Sequence, residues 1–365
     1  MKVSFLDLGA LNIKAGKLDV EENKCEVYTL PVLTLMEMMD VDMEDVQRLF
    51  KVYDESEIKG KTKEVLELMS KVVSPFLDSE YVILSGSSLG KDMKLTLENR
   101  LLITRHLTKA QVVIYTSDRR FTGPEPTREA LVSHKGGVKA IAEHFSSSPV
   151  SEMGTSSLAV FSSKGKQEIL KLGLFSSLFG MDLSFRLWGH LHLYKETNSL
   201  LIDLMQTLSV SSKEYRGIYE STWEKLTKGI PSLRYVKPRE DIEERMMTEI
   251  YGDTYADSSM VNKPTLRVIF RKFMKEIQNR ILEYVVDNST LDNIDDDSII
   301  VAGYGEDLLS DTLKGVFDVK TLTSLHSVEM SIYASEVGSL VDFLKYKGIN
   351  VDLKGMKVQV RSDFA

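Results

Sequence analysis

Apolar residues near the N-terminus come in three short runs, Val3 to Leu8, Asn12 to Val20 and Cys25 to Leu30, with Asp19 to Lys24 as a polar turn before the third. Such runs, bounded by polar turns, predict three successive strands. The spacing then lengthens, and helices are predicted at about 42 to 53 and 61 to 74. Tyr81 to Leu84 and Val112 to Tyr115 follow as short buried strands. Helices at about 91 to 106 and 127 to 145 lie between and after them, the second loosened by Gly136 and Gly137. Pro149 closes this series, and strands are predicted again near 149 to 153, 157 to 162 and 167 to 173. A chain that opens twice in the same way reads as a duplication, and alternating strands and helices favour an α/β layering. The expected division is 1–148 and 149–365.

The second half carries the clearest helical stripe. Asn262 suits a cap and Pro264 a first turn, after which Leu266, Ile269, Phe270, Phe273, Ile277, Ile281 and Val285 recur at helical steps. Val337, Leu340, Val341 and Leu344 repeat the stripe near the end, and Lys345, Lys347 and Gly348 make a favourable C-terminus for that helix. Ser298 to Ala302 reads as a buried strand that leads through Gly303-Tyr304-Gly305 into a helical pattern. Asp295 to Asp297 reads as a solvated loop that keeps three repelling charges in water.

Two loops in this pattern carry candidate chemistry. Asp7-Leu8-Gly9-Ala10-Leu11-Asn12 and Glu152-Met153-Gly154-Thr155-Ser156-Ser157 each lie between apolar runs, and each offers a carboxylate, then glycine and small polar groups. A glycine two residues after the carboxylate lets backbone N–H groups approach a phosphate oxygen closely. Asn12 and Lys14 add donors in the first loop, and Thr155, Ser156 and Ser157 in the second. Asp7 and Glu152 are the candidate Mg²⁺ ligands and catalytic carboxylates, since this hard cation takes oxygen ligands and retains several waters. Gly303 and Gly305 would form a wall on which a ring or phosphate meets bare backbone. Singly, each loop is also an ordinary turn, and it is the order of the three that counts.

That order resembles the actin-like ATPase superfamily of sugar kinases, Hsp70 and acetate kinase, with two phosphate loops and a late glycine-rich adenosine loop. More narrowly, FLDLGALNIKAG is similar to the D-x-G-G-A-N-T-K opening of the archaeal branch of the hydantoinase A/oxoprolinase family. SEMGTSSLAVF stands where that branch has D-M-G-S-T-T-T-D, and Gly189-His190-Leu191-His192-Leu193-Tyr194 where it often has G-E-L-x-Y. The branch includes tetrahydromethanopterin-linked C1-transfer pathway proteins and a methanofuran-biosynthesis synthase that joins a furan-methyl diphosphate to an amine. The resemblance implies a two-lobed actin-like (ribonuclease H-like) duplicated α/β fold with a cleft between lobes, each lobe holding one phosphate loop. It implies a Mg²⁺-dependent transferase that binds a diphosphate in that cleft. An ATP-dependent small-molecule kinase or oxoprolinase-like ATPase, with ATP as ligand, and a non-catalytic actin-like binding module are the alternatives. Departures from the pattern are Ala10 and Leu11 in the first loop, Glu152 for Asp, and Leu158 and Ala159 for Thr and the closing Asp.

Composition narrows the partners. The chain has 365 residues, 42% hydrophobic and 27% charged, enough for two cores of ordinary soluble character. A formal charge of −8 argues against broad capture of nucleic acid or an anionic membrane. The single cysteine, Cys25, forms no intrachain disulfide, and no apolar run is long enough to span a membrane, so the cytoplasm is the expected compartment. His190 and His192 alternate on one strand face as two metal ligands would, but no third ligand accompanies them. Phe185, Trp188 and Trp223 read as packing residues or an aromatic wall. Arg119 and Arg120, after a strand, read as solvated or as a diphosphate clamp.

Overall fold

The computed structural model describes residues 1–9, 12–31, 48–85, 93–116, 118–123, 135–153, 157–162, 167–171, 278–279, 281–289, 297–303 and 305–361. They form two compact units, the first holding the described residues up to Ser146 and from His326 onward, the second those from Ser147 to Leu325.

The first unit opens with a meander of β1 (Lys2–Leu8), β2 (Asn12–Asp19) and β3 (Lys24–Pro31), each antiparallel to the last. Strand β1 is buried on both faces from Val3 to Leu8, as a strand in the middle of its sheet is. Helix α1 (Lys61–Val73) buries Val65, Leu66, Met69, Val72 and Val73 along one stripe, and β4 (Tyr81–Ser85) then pairs parallel to β1. Helix α2 (Met93–Leu107) leads to β5 (Gln111–Tyr115), parallel to β4, and β6 (Phe121–Thr122) returns antiparallel before α3 (Gly136–Ala142).

The second unit repeats the plan. Strands β7 (Val150–Met153), β8 (Ser157–Phe161) and β9 (Gln167–Lys171) form an antiparallel meander. Strand β10 (Ser298–Ala302) is parallel to β7, and helix α4 (Glu306–Leu313) links it to β11 (Asp318–Thr321), parallel to β10 and followed by α5 (Leu322–Leu325). The order β3-β2-β1-β4-β5 in one sheet matches β9-β8-β7-β10-β11 in the other, direction for direction. This is the duplicated α/β topology of the actin-like, ribonuclease H-like fold.

The chain then returns to the first unit with α6 (Val328–Ile332), α7 (Ala334–Tyr346) and β12 (Lys357–Val360). Here the structure differs from the simple division at residue 149, because β12 pairs parallel to β3 and α7 packs on the first sheet. Phe343 meets Tyr81 at 5.1 Å between ring centroids, and the Tyr333 hydroxyl shares a 2.6 Å hydrogen bond with Thr29. On the other face Tyr28 stacks on Phe76 at 5.1 Å. Helices α3 and α7 cross closely: a Cβ on Gly338 would strike the Gly137 carbonyl, and one on Gly137 the Ser335 carbonyl. Gly137 thus serves helix packing where the sequence suggested only a weakened helix. A paired set of C-terminal hydrogen bonds, Gly348 N–H to Lys345 and Ile349 N–H to Leu344, ends α7 as its sequence predicts.

Candidate functional site

In an open α/β sheet, ligands sit beyond the carboxyl ends of the parallel strands. Asp7 is the penultimate residue of β1 at that end and is buried at 5% exposure. Its register partners are Lys14 on β2 and Ser85 on β4, so all three side chains leave the same face of the sheet. The buried Ser85 hydroxyl makes no hydrogen bond to the described residues. Lys14 turns along that face to α7, donating to Glu336 Oε1 at 2.6 Å and to the Ile332 carbonyl at 3.3 Å, with its ammonium 5.3 Å from the Tyr333 ring centre. Lys14, expected to donate to phosphate, thus ties β2 to α7 through the buried Glu336.

The Asp7 carboxylate also acts on the charge of Arg100 on α2, which is buried at 5% exposure. Burial pulls its guanidinium down to about 10, and the nearby Asp7 carboxylate works against that, so Arg100 is charged at neutral pH. Its ring of partners comes from α2 and the segment ahead of it. Nη1 donates to Asn99 Oδ1 at 3.3 Å, and the guanidinium lies 4.4 Å from the centre of the Phe50 ring. Asn99 is anchored in turn, its amide nitrogen donating to the Leu49 carbonyl at 2.8 Å and the Val52 carbonyl at 2.6 Å.

The second unit has an equivalent edge. Glu152 is the penultimate residue of β7, buried at 3% exposure. It pairs with Ala159 on β8 and Ala302 on β10. The two hairpins keep one register: the carboxylate pairs seven residues further on in both, 7 with 14 and 152 with 159. What differs is the chemistry around it, since Ala159 and Ala302 stand in the places of Lys14 and Ser85.

The turn after β10 closes on this edge. Gly303 has φ +95°, a backbone form that favours glycine, and a Cβ there would collide with the Met153 carbonyl. Gly305 donates its N–H to that carbonyl at 2.9 Å, and a Cβ on Gly305 would run into the Met153 side chain. Glu152, Gly303 and Gly305 are therefore brought together, and Met153 itself explains both glycines. The next residue, Glu306, accepts the Thr323 N–H at 2.9 Å and also the Thr323 hydroxyl, fixing α4 to α5. Asp307 beside it is buried, with Oδ2 making no hydrogen bond to the described residues; burial and the neighbouring Asp311 and Glu306 carboxylates raise its pKa to about 8.

Other candidates are placed as follows. Gly9 directly follows β1, Asn12 begins β2 and Ser157 begins β8. Gly154, Thr155, Ser156, the histidine pair 190 and 192, Phe185, Trp188, Trp223 and the start of the helix expected from Asn262 lie outside the described residues. Arg119, partly exposed, is held by two carboxylates: Nη2 is 2.7 Å from Asp342 Oδ1 and Nη1 is 2.8 Å from Glu143 Oε1, while the Tyr115 hydroxyl donates to Asp342 at 2.6 Å. Among the described residues no cluster of three or more metal-type side chains occurs, and no helix is long and apolar enough to cross a membrane. One carboxylate per edge suits Mg²⁺ that keeps its waters and binds phosphate oxygens, which is this ion's usual habit. Sequence missed Ser85 and Arg100. The small polar run after β4 was the available signal for the serine, and nothing in the helical spacing of α2 marked the arginine.

No protein-family model matches the chain, and no curated protein does. Among solved structures it is similar to component A of (R)-2-hydroxyglutaryl-CoA dehydratase from Acidaminococcus fermentans, at 10% identity over 93% of this chain and 96% of that one, with TM-score 0.39. The activator of 2-hydroxyisocaproyl-CoA dehydratase from Clostridium difficile, with bound ADPNP, shares 9% identity over 96% and 98%, with TM-score 0.37. ParM of Bacillus thuringiensis with ATP shares 13% over 95% and 99%, with TM-score 0.38. The actin-like fold of this chain is assigned by the strand order of its two sheets, and the likeness to the archaeal hydantoinase A/oxoprolinase branch stays a resemblance of three short loops.

Proposed function

We propose that the chain binds a small molecule bearing a diphosphate, together with Mg²⁺, and catalyses transfer at that molecule with diphosphate as the leaving group. The carrying observation is the repeated buried carboxylate, Asp7 and Glu152, at the carboxyl end of the first strand of each sheet and in the same hairpin register. Two carboxylates in one hairpin register, each at the sheet end where open α/β sheets take ligands, support a cation-and-phosphate role for both edges.

In this reading each carboxylate would hold hydrated Mg²⁺ against phosphate oxygens, and the metal would neutralise the charge of departing diphosphate. Gly9, Asn12, Gly154, Thr155, Ser156 and Ser157 are the proposed phosphate donors. The carbon–oxygen bond to diphosphate breaks, a bond to an amine or phenol acceptor forms, and the acceptor's proton leaves to solvent or a carboxylate. Gly303 and Gly305, packed by Met153, are the proposed far wall of the site. Calorimetric titration with diphosphate, ADP and ATP, each with and without Mg²⁺, tests the choice. The expected result is Mg²⁺-dependent diphosphate binding with no gain from adenosine. Much tighter ATP binding would favour the kinase or ATPase reading, and binding of none of the three would refute both.

A further inference from the structure

Arg100 is the described cation whose surroundings leave most to explain. It lies in α2 at 5% exposure with its Nε buried and without a hydrogen-bond partner, and the 3.3 Å contact from Nη1 to Asn99 is its one hydrogen bond to the described residues. A guanidinium carries five donors in a rigid fork, and enclosing one with so few acceptors costs stability. The surrounding residues nevertheless hold it in place. Phe50 stacks against its plane at 4.4 Å, and Asn99, itself tied to two backbone carbonyls, fixes one arm. The Asp7 carboxylate also acts on this charge. Arg119 is the contrast: its guanidinium is closed by two carboxylates and serves the fold.

We infer that Arg100 is an anion-binding residue, its fork meeting phosphate oxygens of the ligand whose metal Asp7 holds; this rests on the diphosphate reading above. The chemistry is complementary. Asp7 reaches the phosphate through a cation, whereas Arg100 contacts it directly, as a planar fork fits two phosphate oxygens at once. A rigid, stacked guanidinium loses little freedom on binding.

A functional arginine and a structural one respond oppositely to an apolar substitute of similar length. Calorimetric titration with diphosphate and Mg²⁺ and a thermal melt are therefore run together on the wild type, Arg100→Met and Arg100→Lys. If the assignment is correct, Arg100→Met weakens diphosphate binding by about ten- to a hundredfold, the range of one or two charge-assisted hydrogen bonds. Its Tm is unchanged or higher, because an under-partnered buried charge has been removed. Arg100→Lys keeps the charge without the fork and recovers only part of the affinity. Unchanged affinity in a folded Arg100→Met overturns the assignment and leaves the diphosphate reading standing, and a lowered Tm with intact affinity does the same by marking Arg100 as structural. Should Arg100→Met fail to fold, Arg100→Lys decides: weakened binding supports the assignment and wild-type binding overturns it. A wild type that does not bind diphosphate refutes the reading and the assignment together.

Discussion

At the scale of single residues, Asp7 and Lys14 face each other across one hairpin and play different parts. The lysine belongs to the fold, because its ammonium and Glu336 form a 2.6 Å pair with side-chain exposures of 10% and 1%. Lys14→Met should cost about 3 kcal/mol in urea denaturation by leaving Glu336 buried without this partner, and adding Glu336→Leu should restore most of it. A double variant no more stable than the single would show that the pair is not what holds these elements. Asp307 supplies a pH test. Its carboxyl is raised from 3.8 to about 8 in the folded chain, so the native state holds a proton that the unfolded chain releases across that window. Stability from this residue is therefore complete below about pH 4 and lost as the pH rises towards 8. Asp311, Glu306 and Lys314 are the charges acting on it, the first two raising and the last lowering its pKa. The Tm of wild type should fall more steeply between pH 5 and 8 than that of Asp307→Asn; parallel curves would contradict the shift. Neither role was legible in the sequence, since Glu336 lies 322 residues from Lys14 and no local pattern announces a contact of that range.

At the scale of elements, the hairpins were legible because alternation and turn residues are local. Strands expected at Val3 to Leu8, Asn12 to Val20 and Cys25 to Leu30 lie within a residue or two of β1, β2 and β3, and Ser298 to Ala302 matches β10 end to end. The equivalence of Asp7 and Glu152 was also local, and the common register bears out the alignment of the two loops. Strand β12 was not legible: four residues, Lys357–Val360, with one fully apolar contact face are too short to stand out from a loop, and pairing with β3 makes them a strand. Its partner contains Cys25, fully buried opposite Val358, with burial raising the thiol far above its usual range. A thiol reagent should leave Cys25 unmodified in the native full-length chain at neutral pH. A chain ending at Leu325 loses α7 and β12, so the same thiol should react within minutes; equal protection in both chains would show that the C-terminal return does not complete the first sheet.

At the scale of the whole molecule, one sheet plan is used twice and the chain's end is returned to the first copy. Duplication explains why a carboxylate recurs at corresponding places, and divergence explains why Lys14 and Ser85 correspond to Ala159 and Ala302. The first edge keeps a carboxylate, a hydroxyl and the nearby Arg100, whereas the second keeps its carboxylate and the glycine turn packed by Met153. The central claim is that Asp7 and Glu152 both serve a metal-bound phosphate, and calorimetric titration of diphosphate with Mg²⁺ into wild type, Asp7→Asn and Glu152→Gln tests it most directly. Each variant should lose at least tenfold in Mg²⁺-dependent affinity while melting no lower than wild type. Wild-type affinity in both folded variants would contradict the account.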